Sequence, residues 1–142
     1  MSLADIIRNG VERIANNAEI KEFFQHLDGE TLVVNLVGDS TVTFTVNNGE
    51  LAVHEGEAQD APAITDIEPQ KFVGFINGKT PFGGLFIAEF AEYLQPRKGK
   101  FDEMGGDFWL LNPISEALLQ LYRKDLEFRG MVDSFARLSS KA

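Results

Sequence analysis

The chain contains no cysteine, which excludes a disulfide framework, a thiol nucleophile and a thiolate metal site, and which fits a reducing compartment. Imidazoles are almost as scarce, with His26 and His54 the only two. His26 falls in an expected helical segment and His54 on an expected strand, neither inside a recognisable motif, so both read as structural or surface histidines and no metal site is expected. No apolar run approaches the ~18 residues that would span a membrane. Met1-Ser2-Leu3-Ala4-Asp5 also lacks the basic patch and apolar run of a secretory leader. The expectation is a cytoplasmic protein without stable membrane insertion, folded as a single domain over residues 1–142, a length able to bury a sizeable core.

Positive charge is missing from one long stretch. Residues 22–70 hold ten acids and no Lys or Arg, and this stretch accounts for the net charge of −9, because the flanking segments nearly balance. An acidic surface of this kind repels phosphate backbones, which argues against nucleic acid and against an anionic membrane as partners. Its plainest role is to keep the protein soluble.

Periodicity divides the chain. Ile7, Val11, Ile14 and Ala18 recur at helical spacing, and Ile20, Phe23, Phe24 and Leu27 do so again after Asn16-Asn17, which predicts a broken helical hairpin ending near Gly29. The period then changes. Thr31–Val37 is rich in β-branched residues, and Thr41–Val46 alternates strictly, with Val42, Phe44 and Val46 on one face and three threonines on the other. Asn48-Gly49 signals a tight turn into Glu50–Glu57, completing an antiparallel meander. Pro62–Thr65 reads as a short strand, Asp66 as a helix start and Asn77-Gly78 as that helix's end. A further helix is expected from about Gly84 to Leu94, ended by Pro96, with a last strand over Gly99–Met104. A helix divided by Pro113 follows Asp107, and Phe128, Val132 and Phe135 mark a docked C-terminal helix.

Aromatic rings crowd one region. Seven of the twelve phenylalanines lie between residues 72 and 108, joined by Tyr93 and Trp109, around the glycine-broken segment Gly78–Gly84. Large rings on sharply turning elements suit either a core or the wall of an apolar cavity. The search for chemistry comes back thin. Glu55 and Glu57 share a strand face but alternate as solvated acids do, and Gly78-Lys79-Thr80 lacks the upstream glycine of a phosphate-binding loop. Ser140-Lys141-Ala142 lacks the leucine of a peroxisomal address. No catalytic residue and no cofactor is expected, although a carboxylate such as Glu89 or Asp107 facing a cavity would leave an enzyme conceivable.

Taken in order, the N-terminal helices, the meander, Ile64-Thr65 leading into a helix that ends in Gly78-Lys79, then Lys98-Gly99-Lys100-Phe101 and Gly106-Asp107 opening a helix resemble the sterol carrier protein-2 family of lipid-binding domains. The resemblance covers roughly residues 30–124. It implies an α+β sandwich, a mostly antiparallel five-stranded sheet with helices packed on one face, enclosing an apolar tunnel for a fatty acid, sterol or phospholipid without catalysis. The chain departs from that pattern in an aromatic insert between Gly78-Lys79 and Lys98-Gly99-Lys100, and in the odd spacing of Phe101 and Met104. The expected ligand-binding residues are Phe72, Phe75 and Ile76 before Gly78, Phe82, Leu85, Phe86 and Phe90 on the insert, and Trp109, Leu118 and Tyr122 beyond Asp107. Pro81–Leu94 would act as a lid hinged at Gly78, Gly83, Gly84, Pro96 and Gly99. The alternative function is a packed acidic protein-interaction module without ligand, with a homodimer as one form of that interaction.

Overall fold

Ser2 begins the first helix, α1 (Leu3–Ile14), with a capping box in which its hydroxyl accepts from the Asp5 amide and its own amide donates to the Asp5 carboxylate. The next two orphan amides are met from across the fold. Leu3 N–H donates to Asp39 Oδ2 at 2.9 Å and Ala4 N–H to Ser40 Oγ at 3.1 Å, so the turn between the first two strands caps the helix and fixes its position on the sheet. Asn17 then caps α2 (Ala18–Gln25) through its side-chain oxygen, which accepts from Glu19 and Ile20. The computed structural model describes residues 1–80, 94–100 and 106–140.

The sheet contains β1 (Thr31–Leu36), β2 (Ser40–Asn47), β3 (Glu50–Glu55), β4 (Ile64–Ile67) and β5 (Gln95–Lys98), in the order β3-β2-β1-β4-β5. The meander β1-β2-β3 forms as its alternation implies, and Asn48 and Gly49 take the left-handed conformations, φ 54° and 80°, that a two-residue hairpin turn requires. β4 pairs with β1 in parallel, with Val33 opposite Ile64, so the sheet is mixed and three of its four pairings are antiparallel. Leu32, Val34, Leu36, Val42, Phe44, Val46 and Leu51 are buried in the core. On the opposite face a polar row crosses four strands: Thr41 Oγ1 donates to Asn35 Oδ1, and Asn35 Nδ2 and Arg97 Nε both donate to Asp66 Oδ1. Residues 56–58 run beside this face, where Thr43 Oγ1 donates to Gly56 O and accepts from Ala58 N–H.

Three boundaries differ from the sequence expectation. Asp66 starts no helix: β4 continues through Ile67, Glu68 takes the cap position, and Pro69 opens α3 (Pro69–Asn77) at the position where a missing N–H costs nothing. The strand beside β4 is Gln95–Lys98 instead of a span starting at Gly99, and it holds Pro96, which an edge strand tolerates; the register slips between Ile64 and Thr65 where it pairs. Residues 101–104 of the expected strand, and the expected helix up to residue 93, lie outside the described residues. Pro113 divides nothing, because it falls in the first turn of an unbroken α4 (Leu111–Lys124).

A 3₁₀ turn at Gly106–Phe108 precedes α4, tied back by reciprocal bonds between Asp107 and Lys100. The C-terminal helix α5 (Leu126–Ser140) docks as expected, with Phe128 and Val132 fully buried. Helices α1, α3, α4 and α5 pack on one another, and α1 and α2 lie against β2 and β3. No described helix is long and apolar enough to cross a membrane.

Candidate functional site

The centre of the helical layer is closed. Phe72, Phe75, Ile76 and Leu118, four of the residues expected to bind ligand, are at most 2% exposed and belong to one continuous core. The Phe72 and Phe75 rings meet edge to face with centroids 6.4 Å apart. None of the four lines a described cleft. Trp109 is half-buried in the turn before α4. Phe82, Leu85, Phe86 and Phe90, and with them most of the expected lid, lie outside the described residues.

Open space lies along α5 instead. One cleft of about 720 Å³ runs between the start of α1, the β1–β2 turn, the start of α3 and one flank of α5, lined by Met1, Ile6, Pro69, Met131, Phe135 and Leu138 together with Gly38, Asp39, Glu127, Gly130 and Ser134. Its rim is apolar and wet, with Met1 79% and Leu138 69% exposed. Its two acids are engaged: the Asp39 carboxylate accepts from Leu3, and Glu127 pairs with Arg13 at 2.6 Å. The other flank of α5 faces α3 across a cleft of about 870 Å³ bordered by Gln70, Lys71, Asn77, Lys79, Thr80, Tyr122, Asp133 and Arg137. A smaller cleft of about 360 Å³ separates α2 from α4, beside Phe23 and Phe24.

Among the described residues, Tyr122 is the one expected residue found at one of these clefts. Its hydroxyl donates to Asp133 Oδ1 at 2.7 Å, and the Arg129 guanidinium lies 5.3 Å from its ring centre. Burial, then the bond to Asp133, raises its pKa, so the phenol holds its proton. The base of α5 is pinned by charge. Arg13 reaches Asp125 Oδ2 at 3.0 Å as well as Glu127, and the Phe128 amide, followed by Arg13, lowers the Asp125 pKa.

Sequence reasoning did not single out Ile6, Met131 or Leu138, which line the cleft between α1 and α5. The tail carries a second apolar stripe, Met131, Phe135 and Leu138 at i, i+4, i+7, rotated from the stripe that docks.

Neither a family model nor a curated protein matches the sequence. Solved structures do resemble the fold. One described as "UbiJ-SCP2 Ubiquinone synthesis protein" aligns over 88% of this chain and 98% of its own, at 13% identity and a TM-score of 0.54. A sterol carrier protein 2 structure aligns over 84% of this chain and 96% of its own, at 11% identity and a TM-score of 0.57. With the five-stranded mixed sheet and the helices laid on one face, these matches show that the chain has a sterol carrier protein-2-like fold.

Proposed function

We propose that this protein binds a hydrophobic ligand carrying an acyl-like chain, without catalysing its conversion, and that the chain lies in the cleft between α1 and α5. The observation that carries this reading is that cleft: about 720 Å³, open to solvent, and walled by Ile6, Pro69, Met131, Phe135 and Leu138 on a sterol carrier protein-2-like fold. Its volume falls within the range of small-molecule sites, and methionine and leucine on a terminal helix adapt to variable shapes. Burying ten methylenes would yield roughly 8 kcal/mol, and a cleft open on one side keeps about half of that before ordering costs. Such a balance suits pick-up and release.

Native mass spectrometry of the purified protein, followed by solvent extraction, should reveal a co-purifying lipid, and the stripped protein should take up a fluorescent fatty acid. Phe135→Asp should lower that uptake by at least tenfold by placing a charge against the chain. Phe135 also touches the core, so Leu138→Asp, at an exposed rim position, provides a second variant that folds normally and still weakens binding. A folded protein with no bound lipid and no uptake refutes the reading.

A further inference from the structure

We infer that the head of the ligand is an uncharged oxygen group, such as an alcohol, ester or ketone, held by the Ser134 hydroxyl in the cleft between α1 and α5, and that this cleft disfavours ionised lipids; this rests on the lipid-binding reading above. Ser134 belongs to the face of α5 that lines the cleft, in a row with Glu127, Met131 and Leu138. It is half-buried, and among the described residues its hydroxyl has no hydrogen-bond partner. Ser134 also carries the one neutral hydrogen-bonding side chain among the described residues of the lining. A hydroxyl among Ile6, Met131, Phe135 and Leu138 gives or takes a hydrogen bond, so it fixes an oxygen without demanding a charge.

The charged side chains of the described lining are both carboxylates, Asp39 and Glu127. Asp39 is held by neutral donors, the Leu3 amide and the Ser40 hydroxyl, which leave its negative charge in place. Glu127 pairs with Arg13, but the same guanidinium serves Asp125, so these three groups together keep one negative charge. An ammonium at Met1, which lines the same cleft, would offset one of the two charges and leave the other.

Seven residues of helix set Glu127 about 10 Å along the axis from Ser134. That is close to the ~8–10 Å over which charges act in salt solution, and the net charge of −9 on the whole protein adds to the repulsion. An ionised head at Ser134 would therefore give up water in an apolar site, find no cationic side chain among the described lining residues, and face negative charge. An uncharged oxygen escapes all three penalties.

The test compares palmitate with methyl palmitate, which share a chain and a carbonyl and differ in charge, and sets both against octadecane, by displacement of a neutral fluorescent acyl probe at neutral to mildly alkaline pH. The wild type should bind methyl palmitate about fivefold more tightly than palmitate, and the gap should shrink as salt rises. Ser134→Ala, a substitution that a helix accepts, should weaken methyl palmitate about three- to tenfold and leave octadecane unchanged. Glu127→Gln should strengthen palmitate about twofold and leave methyl palmitate unchanged. Should loss of the Arg13 partner loosen α5 in that variant, the salt dependence of the wild-type gap reads the same repulsion. Equal binding of palmitate and methyl palmitate by the wild type, a preference for palmitate, or unchanged methyl palmitate binding by Ser134→Ala overturns this inference and leaves lipid binding standing. Failure of all three compounds to bind overturns the lipid-binding reading as well.

Discussion

The centre of the helical layer and its α5 margin draw on the same residue types and come out opposite. At the centre, α1 approaches α5 and α4 so closely at Gly10 that an added Cβ would lie 2.7 Å from the Phe128 ring and 2.8 Å from Leu118. Rings and aliphatic chains of described residues meet closely there. At the margin, Met131, Phe135 and Leu138 line a cleft, with Met131 and Phe135 also resting against the edge of the core. An apolar residue becomes core or binding wall according to whether a second element covers it, which composition does not reveal.

The strongest test of that contrast removes a ring from the centre. Phe72→Ala should cost about 3–5 kcal/mol, since the ring is fully buried and its neighbours are helices and strands that cannot collapse into the space. Urea denaturation measures it. A loss below about 1 kcal/mol would mean that the centre already holds free volume, as a ligand tunnel through Phe72 and Phe75 requires.

Much of the fold was legible because local signals agreed with the final packing. The alternation Val42, Phe44, Val46 and the Asn48-Gly49 turn each act over a few residues, and each formed as its pattern implies. The failures came where a distant partner decided. Asp66 looks like a helix cap until Asn35 and Arg97 claim its carboxylate from neighbouring strands, and Pro96 looks like a helix stop until an edge strand accommodates it. The expected binding residues Phe72, Phe75, Ile76 and Leu118 were legible as apolar; which of them would be covered was not, because coverage depends on how α1, α4 and α5 cross.

Paired glycine substitutions sharpen the comparison at smaller energies. Gly10→Ala forces a methyl against Phe128 and Leu118, an overpacking of about 1–3 kcal/mol from which the better helix propensity of alanine recovers about 1 kcal/mol, so the net change is a loss. Gly130→Ala meets no atom and should gain up to about 1 kcal/mol. Thermal melting of the two variants checks the signs. Opposite signs are expected from one substitution on two helices of one layer, and equal signs would show that the margin packs as the centre does.

The smallest effect concerns the tether that holds the open margin in place. The Phe128 amide and Arg13 keep the Asp125 pKa below the ordinary aspartate value, so ionised Asp125 favours the docked helix. A carboxyl group whose pKa is lowered on folding contributes stability that is complete above its unfolded value, near 3.9, and that disappears as pH falls through the lower folded value. Acidification below about pH 4 should therefore loosen the first turn of α5 before it affects the core, since Phe128 and Val132 hold by burial and carry no charge. Hydrogen exchange across α5 at neutral and acid pH reads this directly. Asp125→Asn should speed exchange at Phe128 and its neighbours at neutral pH and remove most of the acid response there, leaving the amides of β1 and β2 unchanged. If exchange at the start of α5 is as slow in the variant as in the wild type, the docked stripe alone fixes the helix, and the margin owes its position to the same packing as the centre.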